Sequence, residues 1–164
     1  MKILLFLLSV IYSTGSGAQV SKVSIQASGL TCSMCSNSIY KSLKTLSFVD
    51  KIEPNIKTST FEITFKQNSK IDFNRLKDKV EDAGYAVAKF IATINCKNVT
   101  VNTHEIVKIG SLKFQFLNVN NQSLNGETRV KIVNNGFVPT KEYKKNTFVT
   151  SIAQDVYFVM ARPT

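Results

Sequence analysis

The chain has 164 residues, 43% of them hydrophobic, and a formal net charge of +10. This length and apolar content suit one globular domain or two small ones, and no internal repeat or low-complexity linker is present. The lysines are scattered through both halves without a long basic run, which indicates a solvated surface suited to acidic partners or anionic lipid.

The first residues are predicted to be a targeting segment. A lysine precedes the apolar run at residues 3–12, and small polar residues follow up to Ala18. This order is typical of a secretory signal peptide, and the run is too short to span a bilayer comfortably as an uncleaved anchor. We therefore predict a signal peptide at residues 1–18, a mature protein that begins at Gln19 without a membrane span, and a periplasmic or secreted location.

Export bears on the cysteines and on the partners. The chain has three cysteines, an odd number, although exported proteins meet an oxidising environment. A structural disulfide framework is therefore not indicated. Export also disfavours nucleic acid as a partner.

The stretch from Gly29 to Cys35, Gly-Leu-Thr-Cys-Ser-Met-Cys, carries two thiols three residues apart. Before it, alternating apolar residues predict a half-buried strand: Val23, Ile25 and Ala27. After it, apolar residues recur at helical spacing: Cys35, Ile39, Leu43 and Leu46. The pattern predicts that a loop holds Cys32 and that Cys35 lies in the first turn of a helix, where unpaired N–H groups and the helix dipole favour a thiolate.

Two more strands and a second helix are predicted next. Residues 48–56 and 60–66 have strand patterns and are joined by a polar turn. Pro54 restricts the first of them to an interrupted or an edge strand, because proline has no N–H to donate. Asp72 is a predicted N-cap, and the helix after it has an apolar face that ends at Gly84: Phe73, Leu76, Val80 and Ala83.

Residues 85–91 predict a fourth strand, so that the order becomes βαββαβ, the ferredoxin-like arrangement. From about Thr93 short β-rich runs follow, separated by turn signals such as Asn125-Gly126, and residues 140–145 predict one short helix. That order is compatible with a small closed barrel such as an OB-fold. We predict an α+β chain with a ferredoxin-like domain at 19–92 and a β-rich domain at 93–164.

The thiol motif resembles the Gly-Met-Thr-Cys-x-x-Cys loop of the heavy-metal-associated domain, found in copper chaperones, copper-transporting ATPases and the periplasmic mercury-binding protein. The likeness extends from about Val20 to about Ile91, and it includes the sequence from Val80 to Tyr85, which is similar to the family's second-helix ending. Leu30 replaces the usual Met, which keeps a packing residue but loses a thioether. The resemblance implies metal binding without enzyme chemistry.

The resemblance implies that Cys32 and Cys35 hold the metal ion. Two thiolates suit a soft cation that is stable with two sulfur ligands, and Cu(I) is the commonest such ion. Thr31 favours copper by resemblance, because zinc-type members tend to carry Asp there. Hg(II) shares the preference for two sulfurs, whereas Zn(II) takes four ligands in structural sites, which the pair alone does not supply. We predict Cu(I), with Hg(II) or Zn(II) as alternatives.

The partners implied by the resemblance are a copper-transporting ATPase, an exporter or a copper-receiving protein, or a second copy in a metal-bridged dimer. The carboxy-terminal half shows no catalytic grouping and no glycine-rich phosphate loop. We therefore predict a binding or docking role for residues 93–164.

Two alternatives for the thiol pair stay open. Cys-x-x-Cys at a helix start is also the arrangement of thiol–disulfide oxidoreductases. The residues around Cys32 and Cys35 disfavour this, because they do not resemble the Trp-Cys-Gly-Pro-Cys of thioredoxin-like sites. An inert disulfide that closes a short loop is the second alternative.

Three residues are candidate neighbours of the metal: Thr31, Met34 and Tyr85. By resemblance Tyr85 shields the sulfurs from water, with core packing as the alternative. Met34 is predicted to point into solvent and to assist capture or docking. Cys96 and His104 lie outside the recognised domain, and we predict a buried apolar filler and a surface residue respectively, in preference to metal ligands.

Overall fold

A computed structural model describes residues 19–30, 33–103, 105–145 and 155–161. The predicted signal peptide lies outside the described residues, as do Thr31, Cys32 and His104. In chain order the elements are β1 (Gln19–Ser28), α1 (Ser33–Lys44), β2 (Val49–Asn55), β3 (Thr60–Phe65), α2 (Phe73–Asp82), β4 (Ala86–Val101), β5 (Ile106–Ile109), β6 (Leu112–Phe116), β7 (Gln122–Ile132), α3 (Thr140–Lys145) and β8 (Val156–Ala161). In this described part of the chain, no helix is long and apolar enough to cross a bilayer.

The first half has the predicted ferredoxin-like fold. Strand β1 lies between β3 and β4 and pairs antiparallel with both, while β2 forms the edge beyond β3. Pro54 therefore lies in an edge strand, where its missing N–H leaves few ladder bonds unmade. Helices α1 and α2 pack against each other, and the Ser42 hydroxyl of α1 donates a hydrogen bond to the Lys79 carbonyl of α2 at 2.7 Å.

Both ends of α2 form as the sequence predicts. The Asp72 carboxylate accepts hydrogen bonds from the backbone N–H groups of Asn74 and Arg75, at 2.9 and 3.2 Å, which satisfies two donors that the helix leaves unpaired. Gly84 ends the helix with a φ of 90° and donates to the carbonyl of Glu81 at 2.8 Å. Only glycine adopts this conformation without steric cost, so the chain can turn directly into β4.

The second half extends the sheet of the first half. The described strands form one sheet in the order β2-β3-β1-β4-β7-β8-β6-β5, in which β6 and β8 are parallel. The predicted closed barrel is not formed by these strands, because β4 pairs with β7 and the later strands continue outwards to an open edge at β5. The predicted boundary at residues 92/93 falls inside β4, and the division into two domains stays a prediction.

The predicted turn at Asn125-Gly126 is wrong. Both residues lie inside β7, where Gly126 pairs with Cys96 and has a φ of 79°. The ladder shifts register between Cys96 and Val99, and Asn98 there has a φ of 50°. A left-handed residue serves a β-bulge as well as a turn, so the local sequence did not distinguish them.

One core joins the two halves. The Phe73 ring of α2 lies 5.0 Å from Phe90 of β4, 6.1 Å from Phe114 of β6 and 5.0 Å from Tyr157 of β8, measured between centroids. Strands β4 and β6 are three spacings apart in the sheet, about 14 Å if it were flat. The sheet therefore curves around α2. A smaller cluster, which includes Tyr143 of α3, packs elsewhere: Val133, Val138 and Phe158, with Leu117 and Met160.

Candidate metal centre

The connection from β1 to α1 brings the motif to one end of the sheet. Strand β1 ends at Ser28, and Gly29 follows with a φ of 78°, a conformation that residues with a Cβ rarely adopt. A Cβ on Gly29 would meet nothing within 4 Å, so the backbone angle is what favours glycine here. Leu30 packs against the main core, as expected of the residue that replaces the family's Met. The loop is thus anchored on its β1 side.

Cys35 is the third residue of α1 and is half-buried. Its backbone lies in the first turn, where N–H groups have no intrahelical acceptor and the helix dipole lowers the energy of a negative charge. Once reduced, this position favours a thiolate. In this structure the sulfur of Cys35 is part of a disulfide, whereas Cys96 is a free thiol.

The oxidised sulfur of Cys35 does not choose between the alternatives for the motif. The disulfide is a state open to all three alternatives: a metal-binding thiol pair, a redox pair and an inert short-loop disulfide. Because Cys32 lies outside the described residues, the assignment of Cys32 and Cys35 as the ligand pair stays a prediction. Thr31 as their neighbour also stays a prediction.

Met34 is 80% exposed, as predicted. It lies one residue before Cys35 on the outward face of α1, so its thioether faces solvent beside the motif. A large apolar side chain at this exposure gains little from folding, and a contact with a partner would bury it.

Tyr85 lies between α2 and β4, at the same end of the sheet as Gly29. The Ser28 hydroxyl donates to the carbonyl of Ala86 at 3.1 Å, which ties the end of β1 to the start of β4. The Tyr85 ring is half-buried and packs against the main core, so the packing alternative is observed. Its shielding of the sulfurs stays a prediction.

Cys96 lies far from the motif. Gln19 pairs with Asn95 at one end of the β1–β4 ladder and Ser28 pairs with Ala86 at the other, so Cys96 lies beyond the opposite end of β1. At about 3.3 Å per residue, it is about 30 Å along the strand from Ala86. Its side chain is fully buried in the core, and burial raises the pKa of the thiol. Cys96 is therefore the predicted apolar filler.

The turn between β2 and β3 is a neighbour of the motif that the sequence did not reveal. The N–H of Ala27 donates to the carbonyl of Ser59 at 3.0 Å, and the Gln26 amide donates to the carbonyl of Thr58 at 3.1 Å. These bonds hold the turn beside the end of β1, and Ile56 within it is 59% exposed. In the sequence, the only feature that distinguishes this turn is an isoleucine among polar residues. Within the described ranges, no three His, Cys, Asp or Glu side chains gather as a further metal site.

Comparison with known families settles what this end of the molecule is similar to. Residues 24–86 match the family model of the heavy-metal-associated domain, and they run from the middle of β1 to the first residue of β4. This segment is a heavy-metal-associated domain. The predicted resemblance and the ferredoxin-like fold are thereby confirmed, and the domain is of a metal-binding type. Residues 87–164 lie beyond the match.

The heavy-metal-associated domain is also found in larger proteins. Over 73 residues the chain is 33% identical to a probable copper-exporting P-type ATPase of Archaeoglobus fulgidus. The aligned segment is 44% of this chain and 9% of the ATPase. Over 71 residues it is 35% identical to a copper-transporting ATPase of Helicobacter pylori, and the aligned segment is 43% of this chain and 9% of that ATPase. The chain thus spans only 9% of the length of either relative.

Among solved structures, oxidised MerP from Ralstonia metallidurans is similar to the same region. The identity is 27% and the TM-score is 0.38, with coverage of 43% of this chain and 94% of MerP.

Proposed function

We propose that the protein is an exported metal-binding protein that takes up Cu(I) through the thiolates of Cys32 and Cys35 and hands the ion on. The observation that carries the proposal is the position of Cys35 in the first turn of α1, inside a heavy-metal-associated domain. The copper ATPases that share this domain support copper as the cargo. Hg(II) and Zn(II) are the alternatives, because Hg(II) shares the preference for two sulfur ligands and Zn(II) also binds thiolates.

The ion would pass to a partner by ligand exchange. A thiolate of the partner attacks the two-coordinate ion, a three-coordinate state forms, and one of the two original sulfurs leaves. The half-buried position of Cys35 keeps its sulfur within reach of such an attack. No bond of the cargo or of the protein is hydrolysed or oxidised in this sequence, so the proposal requires no enzyme activity.

The receiving partner would be a copper-transporting ATPase, an exporter or another copper-binding protein. The location would be periplasmic or secreted, as the predicted signal peptide implies. Residues 93–164 would act as a docking module, because they add a second surface to the same sheet without adding a metal ligand among the described residues. A metal-bridged dimer is the alternative partner.

A second candidate function uses the same cysteine pair, because the disulfide at Cys35 is also one of the two states of a redox cycle. A dithiol oxidoreductase would use the same pair, cycling between the oxidised and reduced states. It would require a reduction potential well above that of a structural disulfide.

Titration with Cu(I) tests the first proposal. The mature chain is reduced, kept anaerobic and titrated against a chromogenic Cu(I) chelator. One equivalent should bind; Cys32→Ser and Cys35→Ser should each lose tight binding, and the matched control Cys96→Ser should keep it because that thiol is remote and buried. The oxidised chain should not compete for Cu(I), since a disulfide offers no thiolate. Tight binding that survives both Cys32→Ser and Cys35→Ser would overturn the proposal.

The redox alternative is measured on the same samples. Equilibration with glutathione buffers gives the reduction potential of the pair, and turnover of a disulfide-containing peptide gives the activity. A potential near that of known oxidoreductases together with turnover would establish the second function. A lower potential without turnover leaves metal binding as the function of the pair.

A further inference from the structure

Strand β5 has one edge that no described strand covers. It forms a hairpin with β6, and the two-residue turn lies between Ile109 and Leu112. In such a hairpin the residues beside the turn bond to each other, and bonded pairs alternate with non-bonded pairs along the ladder. Ile109 and Val107 therefore bond to β6, whereas the N–H and C=O groups of Ile106 and Lys108 point away from the sheet.

The outward backbone groups of β5 are open to a further strand. Among the described residues, neither Ile106 nor Lys108 makes a backbone hydrogen bond outside the hairpin. The Ile106 side chain is also 52% exposed, and β5 contains no proline. An edge of this kind is a template for pairing with an extended segment of another chain.

The opposite edge of the sheet, at β2, is protected against such pairing. Strand β2 contains Pro54, which lacks an N–H, and its ladder shifts register between Val49 and Lys51. Lys51 and Glu53 form an ion pair at 2.5 Å on the same strand. Proline, irregular register and charge are features that prevent edge pairing. Apart from its shortness, β5 has only one of these features, the charge of Lys108.

Two lysines give the β5 edge its positive charge. Lys108 lies directly opposite Lys113 of β6 in a non-bonded pair, where the facing side chains are closest. Both are exposed, and neither belongs to an ion pair between described residues. Glu105, the nearest acidic residue in the sequence, instead accepts a hydrogen bond from the Asn102 amide at 3.1 Å. Like charges directly opposite each other are destabilising, and a carboxylate beside them would relieve the repulsion.

We propose that the free edge of β5 binds an extended acidic segment of a partner protein by strand addition. The segment would exchange backbone hydrogen bonds with Ile106 and Lys108, as an added strand does. A carboxylate opposite Lys108 would lie beside both lysines. An apolar residue opposite Val107 would continue the core against which Val107 already packs. The inference rests on the docking role proposed for residues 93–164, and it adds the surface and the chemistry of the partner.

A second copy of the chain fits this edge less well than an acidic segment. Pairing of two β5 strands would gather Lys108 and Lys113 of both copies in one place, and each chain has a formal net charge of +10. Four residues at about 3.3 Å each give an edge of about 13 Å. So short an edge suits one extended segment, whereas a stable dimer interface buries about 1,200 Å² or more.

The test uses the peptide Ac-Gly-Val-Glu-Val-Thr-Val-Gly-NH2 and a charge-reversed form with Lys in place of Glu. Hydrogen exchange of the mature full-length chain is followed by NMR with and without each peptide. Saturating glutamate peptide should slow exchange at the Ile106 and Lys108 amides at least about tenfold. The amides of Val107 and Ile109 should change little, because they already bond to β6. The lysine peptide should bind at least about tenfold more weakly.

A proline variant tests the backbone bonds directly. Lys108→Pro removes an outward N–H without breaking a bond to β6, and proline is tolerated where the N–H of an edge strand faces solvent. The matched control Lys108→Gln loses the same charge but keeps the N–H. Lys108→Pro should bind the glutamate peptide at least about tenfold more weakly than the control does. Far-UV circular dichroism checks the fold of the variant, and the exchange pattern of the unmodified chain tests the proposal without it.

Failure of the glutamate peptide to bind, equal binding of both peptides, or equal affinities of the two Lys108 variants would overturn the strand-addition proposal. A dimer in sedimentation velocity that is lost in Lys108→Pro alone would assign the edge to self-association and would also overturn it. The Cu(I) titration should give the same result for Lys108→Pro as for the unmodified chain, so a failure of metal binding is distinguished from a failure of docking.

Discussion

The Phe73 ring, at the start of α2, packs against the Tyr157 ring of β8, with centroids 5.0 Å apart. Phe73 belongs to the heavy-metal-associated domain and Tyr157 lies beyond the family match. Both rings also lie near Phe114 of β6, at 6.1 Å. The added strands are therefore held to the metal-binding half through the core as well as through the β4–β7 ladder.

Replacement of Phe73 should destabilise both halves together. Its side chain is fully buried, and a Phe→Ala change at such a site costs about 3–5 kcal/mol. Phe73→Ala should therefore shift the urea midpoint strongly, with far-UV circular dichroism and tyrosine fluorescence giving the same transition. The control Ile56→Ala, at a 59% exposed side chain, should change the free energy of unfolding by no more than about 0.5 kcal/mol. Two separate transitions, with only one of them shifted, would contradict a shared core.

Truncation tests whether residues 19–92 fold as an independent domain. Removal of 93–164 takes away the β7 partner of β4 and the aromatic rings that cover Phe73 and Phe90. We expect the fragment to lose at least about 2 kcal/mol of unfolding free energy relative to the chain 19–164, because buried aromatic surface becomes exposed. Thermal and urea unfolding of both chains in the reduced, metal-free state measure this. Equal midpoints would instead support the predicted division into two domains.

Alkaline pH should weaken the fold through Tyr157. Burial, with the Asp72 carboxylate as a further cause, raises the pKa of the Tyr157 phenol from 10.0 to about 12. The unfolded chain therefore releases this proton at a lower pH than the folded chain does. Below pH 10 the raised pKa contributes nothing to the pH dependence of stability. As the pH rises from 10 towards 12, the free energy of unfolding falls by about 3 kcal/mol at most.

The measurement is the free energy of unfolding in urea between pH 8 and pH 11.5 for the unmodified chain and for Tyr157→Phe. The variant keeps the ring but has no phenol, so its stability should fall less steeply above pH 10. Tyr40→Phe serves as the matched control, since Tyr40 is half-buried on α1 and away from this contact. Parallel curves for the unmodified chain and Tyr157→Phe would show that another group causes the loss.

Much of the candidate site could be predicted from the sequence because its signals are local. The alternation before Gly29 and the helical spacing after it gave the strand and helix that carry Cys35, and the structure confirms both. The exposure of Met34 followed from its place on the outward side of that helix. The proximity of the β2–β3 turn was not predictable, because the bond from Ala27 to Ser59 depends on the pairing of β1 with β3.

The sequence by itself determined the ferredoxin-like order, the two ends of α2 at Asp72 and Gly84, and the short helix α3, since each depends on neighbours within a few residues of the chain. Only the tertiary structure decided that the later strands extend the first sheet and curve it around Phe73. Short apolar strands are buried equally well in a closed barrel and in an open sheet, so their composition does not determine which of the two forms. The edge of β4 decides this arrangement, because its N–H and C=O groups pair with β7 and its Phe90 ring is covered on the core side by Phe137, from the segment after β7.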